Sequence, residues 1–258
     1  MHHALIAAAG PVIDRGLIAD TYACRTGKGT RAAWRRAQQL ARRHGWFLLL
    51  DIRRYFDRID HEVLRAQLRR LFKDRRLLAL FDRILAAGSP GCPPGKGLPI
   101  GNLTSQHLAN LYLSALDHRI TEVLRVPGYC RYMDDLLLFG DTREALRAAE
   151  VHLTCFLAKR LLLETKPSAR RLGPVSIGVP FLGLRLWPGL VRLDRVRVRR
   201  FRTRLRGLQA ARRAGVLAEE DLAARAASLV AWASQADTLA LRQSFLQRLD
   251  RGTLPADG

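Results

Sequence analysis

Residues 129–140 read Tyr-Cys-Arg-Tyr-Met-Asp-Asp-Leu-Leu-Leu-Phe-Gly, two adjacent carboxylates set between apolar, strand-like segments. This run constrains the fold more than any other. Flanks this apolar are buried, so Asp134 and Asp135 must emerge where a strand ends or turns. A second apolar run, Trp46-Phe-Leu-Leu-Leu-Asp51, also ends in an aspartate. Taken singly, each aspartate reads as a turn residue. Taken together, three carboxylates at strand ends supply the hard oxygens that Mg²⁺ prefers. Two such ions suit the transfer of a nucleotide to a nucleic-acid 3′ end.

The charge balance points the same way. The chain carries 44 Lys+Arg against 23 Asp+Glu, a net charge of +21. Such an excess predicts an anionic partner, most commonly nucleic acid. The competing reading is a basic protein whose charge only maintains solubility. Five of the basic residues are lysines, Lys28, Lys73, Lys96, Lys159 and Lys166. A lysine among so many arginines is the sharper hint, because it can release a proton and arginine cannot. Residues 195–213 hold nine arginines and no acid, among them Arg199, Arg202 and Arg206. A solvated helix face normally mixes signs, so this stretch reads as a phosphate-contacting surface.

Other features exclude chemistries. Cys24, Cys92, Cys130 and Cys155 are too scattered for a metal knuckle or a Cys-x-x-Cys pair, which fits a reducing cytoplasm. No apolar stretch reaches bilayer length, so no membrane partner is expected. The seven histidines show no metal-ligand spacing. The first residues lack a basic leading region and read as a core-packing helix, not a signal peptide.

Periodicity predicts an amphipathic segment over 3–18 broken near Pro11, a polar loop over 21–30 and a helix over 30–44. A buried strand follows over 46–52, then a helix over 61–72 capped by Asp60, and another over 77–87. The Gly/Pro-rich stretch 88–101 reads as a loop, and 104–124 as one long helix. A strand–turn–strand spans 129–139, and a helix spans 143–161. Short strands cover 180–186 and 190–193, and three helices fill 195–250. The fold class is α+β, with helices on one face of a small, mostly antiparallel sheet.

These motifs together resemble a reverse transcriptase. Asp51-Ile-Arg-Arg-Tyr-Phe56 is similar to the family's first palm motif, and Tyr132-Met-Asp-Asp135 to its third. Gly97-Leu-Pro-Ile-Gly-Asn-Leu-Thr-Ser-Gln106 resembles the second, and Phe181-Leu-Gly183 the later primer-gripping hairpin. The resemblance implies a right-hand polymerase palm over 46–194, with a finger-like insertion over about 61–100. It implies partial fingers over 1–45 and a basic helical thumb over 195–258. Ile100 and Ser105-Gln106 stand where most relatives carry a glutamine and a Ser-Pro pair. With Tyr22-Ala-Cys-Arg-Thr-Gly-Lys-Gly-Thr30 and Gly178-Val-Pro-Phe-Leu-Gly183, they are similar to the reverse transcriptases of diversity-generating retroelements.

The resemblance also implies roles. Asp51, Asp134 and Asp135 would be the catalytic residues, holding two Mg²⁺ ions, with Mn²⁺ a substitute. Phe56 would lie under the sugar of the incoming dNTP and exclude a 2′-hydroxyl, or else be a core aromatic beside Tyr55. Gly101 would let the backbone approach the nascent base pair. Ile100 offers no polar group there, an expectation of loosened checking, and Gln106 completes the nucleotide site. Lys166 either protonates the departing pyrophosphate or is a solvated lysine. Arg25, Lys28, Tyr132, Arg199, Arg202 and Arg206 would contact nucleic acid. The implied partners are an RNA template, a DNA or RNA primer, dNTPs and a small basic accessory protein.

The chain opens where relatives are already well into their fingers. An expectation follows that the early basic finger strands are missing and that residues 3–18 leave apolar surface uncovered. Two alternatives stay open: a nucleic-acid-binding remnant that has lost polymerisation, and a retron or group II intron type of enzyme.

Overall fold

The computed structural model describes residues 2–216, 219–234, 236–238 and 243. It comprises two units, Met1–Ile177 and Gly178–Gly258. The first is built on four antiparallel strands, β1 (Trp46–Asp51), β2 (Gly128–Tyr132), β3 (Asp135–Gly140) and β4 (Arg171–Pro174), in the order β2-β3-β1-β4. The register runs from Trp46 opposite Gly140 to Asp51 opposite Asp135. Tyr132 pairs with Asp135, so Met133 and Asp134 form a two-residue turn. Met133 is left-handed, with φ 56°, a conformation that costs a side-chain-bearing residue about 1–2 kcal/mol. β4 has no apolar alternation to announce it. It exists because its backbone completes the ladder along β1, and its Pro174 is tolerated at the sheet edge.

Strand alternation buries both faces of the sheet. Leu48, Leu50, Leu136 and Leu138 face the main core, while Phe47, Leu137 and Phe139 face the other way and are equally buried. Helices therefore serve both faces and not the expected one. The helices of this unit are α1 (His2–Arg15), α2 (Thr30–Ala41), α3 (Tyr55–Arg58), α4 (His61–Leu71), α5 (Arg75–Ala86), α6 (Leu103–Tyr112), α7 (Ser114–His118) and α8 (Arg143–Arg160). Buried residues of α4, α6 and α8 belong to the main core, whereas Leu40 of α2 lies beside Gly128, the partner of Phe139.

Local signals explain most helix ends. The Asp60 carboxylate accepts the N–H groups of Glu62 and Val63, capping α4 as its sequence predicts. Asp74 does the same for Arg76 and Leu77, which starts α5 earlier than its apolar pattern alone. Two expectations are corrected. α1 runs through Pro11, because Leu5, Ile6, Ala9 and Ile13 are buried on the side that packs along α6, offsetting the one donor proline lacks. Ala4, Ala7, Ala8 and Pro11 remain exposed, so part of the apolar surface of residues 3–18 is uncovered, although no large apolar side chain is. The single helix expected over 104–124 is instead α6, α7 and a π-helical turn, Arg119–Val123. At the break, the Ser114 hydroxyl donates to the Leu111 carbonyl and competes with the helical ladder for that acceptor.

The second unit opens with an antiparallel meander, β5 (Val179–Phe181), β6 (Leu184–Leu186) and β7 (Val191–Leu193). Leu182 and Gly183 join the first two strands with φ of 47° and 76°, the paired left-handed residues of a tight hairpin. A Cβ on Gly183 would meet only the flexible end of the Arg197 side chain, so it is the positive φ that demands glycine there. The arginine-rich stretch is α9 (Arg195–Arg213), capped by Asp194, and α10 (Glu219–Ala233) follows. Phe201 is buried, whereas Val196, five residues earlier and so about 140° around the helix, is 58% exposed. The third helix expected in 195–250 falls mostly outside the described residues.

Candidate active site

Residues opposite one another on paired strands share a face, so the register of β1 with β3 brings Asp51 and Asp135 side by side. Asp134 occupies the turn immediately before. All three are half-buried. Burial raises the Asp51 carboxyl above its ordinary range, with Lys166 partly opposing the rise. Asp134 is raised by burial and by repulsion from Asp51. Asp135 is pushed up to about 7, first by burial and then by Asp134 and Asp51. Three carboxylates drawn this close resist full ionisation, and a nearby cation would relieve them.

Among the described residues no group of three or more His, Cys, Asp or Glu side chains forms a ready-made metal cage. The donor chemistry fits Mg²⁺ nonetheless. That ion usually takes only one or two carboxylates from a protein and completes its shell with water and substrate phosphates. Asp51 and one or both acids of the turn are such a partial set.

The remaining candidates fall into three groups. Around the acids, the Lys166 backbone N–H donates to the Asp51 carbonyl at 2.8 Å, and the Arg53 N–H donates to the Glu164 carbonyl at 2.9 Å. The segment bearing Lys166 is thereby zipped to the end of β1, with its side chain exposed. Phe56 is half-buried and meets Tyr55 edge-on, with ring centroids 5.6 Å apart. Tyr55 itself is buried and donates its hydroxyl to the Ala109 carbonyl. The Phe56 carbonyl accepts the Leu98 N–H at 2.8 Å, tying this turn to the loop that carries Ile100 and Gly101.

Ile100 is 78% exposed. Gly101 has φ 98°, and a Cβ there would meet nothing within 4 Å. The dihedral, not space, demands glycine in this state. Gln106 lies on α6 and lines a groove of about 710 Å³ together with Ile6, Gly10, Asp14, Arg25 and His107.

The basic candidates are placed variously. Arg25 points inward, with its guanidinium bonded to the Asp14 carboxylate and to the carbonyls of Ile18 and Thr21. It orders the 21–30 loop. Lys28 donates to the Ala19 carbonyl at 2.8 Å and lies over the Tyr22 ring. The Tyr132 hydroxyl accepts from Thr30 at 3.2 Å. Arg199, Arg202 and Arg206 are exposed on α9, at the three- and four-residue spacing of one helix face.

Sequence reasoning missed one group altogether. Arg131 and Asp117 are wholly buried and form an ion pair at 2.7 Å. Asp117 also accepts from the hydroxyls of Tyr129 at 2.7 Å and Thr21 at 3.2 Å. Arg131 reaches on to Asn110 and to the Met133 carbonyl. The available signal was parity. In β2, Tyr129 and Arg131 alternate with Cys130 and Tyr132, so a charge falls on the core-facing side of an apolar strand.

Residues 11–168 match the family described as reverse transcriptase (RNA-dependent DNA polymerase). The chain is 25% identical over 177 residues to protein YkfC of Escherichia coli, covering 55% of this chain and 46% of that protein. It is 29% identical over 86 residues to the COX1/OXI3 intron 1 protein of Saccharomyces cerevisiae, covering 31% of this chain and 10% of that one. Its fold resembles the apo telomerase of Candida tropicalis, with TM-score 0.60 and 8% identity over 75% of this chain and 41% of that one. It also resembles the Candida albicans telomerase solved with a telomeric RNA fragment, with TM-score 0.54 and 12% identity over 75% of this chain and 38% of that one. The chain thus spans less than half the length of each of these proteins, while the family match takes in all three acids and most of the first unit. A polymerase-type fold that brings Asp51 to the Asp134-Asp135 turn, and a family match running through both, make this chain a member of the reverse transcriptase (RNA-dependent DNA polymerase) family.

Proposed function

We propose that this chain extends a primer 3′ end with dNTPs on an RNA template, and that it is of the diversity-generating type. The observation that carries the reading is the register that sets Asp51 opposite Asp135 with Asp134 at the adjoining turn. Asp51 and Asp134, with Asp135 less directly, would hold two Mg²⁺ ions, or Mn²⁺ in their place. Bound there, the metals would lower the pKa of the primer hydroxyl and neutralise charge on the triphosphate.

The chain's own residues do the rest. Phe56, held by Tyr55, presents a ring edge that a ribose 2′-hydroxyl would meet, which favours dNTP over NTP. Lys166 stands beside Asp51 with an exposed ammonium that can give a proton to the leaving pyrophosphate. Gly101 keeps the backbone open at the nascent pair. The groove beside Gln106 offers room for the template strand. Exposed arginines of α9 offer phosphate contacts.

The subtype rests on Ile100 and on Ser105-Gln106. An exposed isoleucine has no donor or acceptor with which to test the new base pair. The same reading brings a retroelement template RNA and a small basic accessory protein as partners. Four free cysteines fit a cytoplasmic setting. Primer extension on an RNA template tests the activity: wild type incorporates dNTPs and Asp134→Asn does not. RNA binding without incorporation would sink it. Ile100→Gln lowers misincorporation if the subtype reading is right, and an unchanged error rate counts against it.

A further inference from the structure

Arg131 does more than an ordinary buried ion pair requires. Its Nε and one terminal nitrogen grip the Asp117 carboxylate at 2.8 Å and 2.7 Å. That same terminal nitrogen donates to the Asn110 carbonyl at 3.2 Å. The other terminal nitrogen donates to the Asn110 side-chain oxygen at 3.2 Å and to the Met133 carbonyl at 2.9 Å. Asp117 is itself anchored by Tyr129 and Thr21, and the Asn110 amide donates to the Ala23 carbonyl at 2.7 Å. The planar fork is therefore fixed on the core side, and one of its prongs reaches the turn that carries the acids.

That turn needs holding. Met133 is left-handed without being glycine, and such strain persists only where the surroundings over-determine it. The like-charged carboxylates of Asp51, Asp134 and Asp135 also tend to push the turn away from β1. We infer that Arg131 is the positioning residue of the catalytic turn: through the Met133 carbonyl, with Asp117 and Asn110 as its anchor, it sets where Asp134 and Asp135 point. The inference rests on the polymerase reading and deepens it. Lysine can satisfy Asp117 as a point charge, but it lacks the fork that serves the anchor and the turn at once.

The test uses the full chain and two readouts, Mn²⁺ affinity by electron paramagnetic resonance and the Mg²⁺ dependence of dNTP incorporation on an RNA template. Arg131→Lys is expected to weaken Mn²⁺ binding by about 10- to 100-fold and to raise half-saturating Mg²⁺ by a similar factor. The KM for dNTP stays near that of wild type. Thr21→Val trims the anchor without touching the turn, so it lowers the thermal midpoint and leaves Mn²⁺ affinity alone. Wild-type metal dependence in Arg131→Lys overturns the inference, whatever its thermal midpoint. So does an equal loss of affinity in Thr21→Val. Should Arg131→Lys not fold, the double variant Arg131→Gln/Asp117→Asn, which leaves no buried charge unpaired, is read by the same criteria. A wild type that binds Mn²⁺ but incorporates nothing overturns the polymerase reading alone, and the affinity comparison still decides Arg131. A wild type that binds no Mn²⁺ overturns both.

Discussion

β2 and β3 present two faces that obey opposite electrostatic rules. On one, Asp135 stands opposite Asp51 with Asp134 adjoining, three acids whose carboxyls are raised by burial and by one another. On the other, the buried charge of Arg131 meets Asp117, and Tyr129, Thr21 and Asn110 complete the set. On the first, Lys166 offsets the crowding only in part, and a further cation would relieve it. The second is satisfied by the chain itself. Buried polar groups that are fully paired make a rigid support, whereas crowded like charges store free energy that a ligand can release. A single hairpin thus carries both the strained part of the site and the part that holds it.

The largest effect expected is on the unsatisfied face. Asp134→Asn removes a metal oxygen and lowers incorporation by about a thousandfold or more. In chelator its thermal midpoint does not fall, because a repelling charge has gone. A midpoint well below wild type would show that the acids stabilise the fold, and the contrast between the faces would fail. The satisfied face behaves in the reverse sense. Asp117→Ala leaves the Arg131 charge buried and unpaired, so urea unfolding should report a loss of about 3–5 kcal/mol. A loss under about 1 kcal/mol would mean that the pair is already solvated.

Two smaller changes act as boundaries to the comparison, since neither touches the hairpin. Replacing Arg199, Arg202 and Arg206 with glutamine should flatten the salt dependence of template–primer binding by about two to three in log–log slope. The metal dependence of incorporation should stay as it was. Asp60→Ala deletes the cap of α4 and should cost about 1 kcal/mol. If either variant shifts the Mg²⁺ requirement, the site is less self-contained than its local bonding indicates.

What could be read in advance followed from local signals. The strand ending at Asp51 and the hairpin around Asp134 were legible because apolar runs closed by acids have few other uses. The Asp60 cap was legible because capping is a matter of three neighbouring residues. The Arg131–Asp117 pair was not, because its partners lie on a strand and on a helix that breaks where continuous apolar spacing predicts none. Asp117 lies in the short helix between the break at Ser114 and the π-helical turn. β4 was hidden for a different reason, since backbone pairing with β1 carries it and its side chains do not. Arg25 reads as a phosphate-contacting residue within a glycine loop, yet its donors meet Asp14 and the carbonyls of Ile18 and Thr21, partners that sequence spacing does not reveal.

The central claim is that the pairing of β1 with β3 builds a site for two divalent ions. Counting bound Mn²⁺ in the presence of template–primer and a non-hydrolysable dNTP tests it directly. The account predicts two ions on wild type and fewer on Asp51→Asn, with the fold retained. An equal count on both proteins would contradict it.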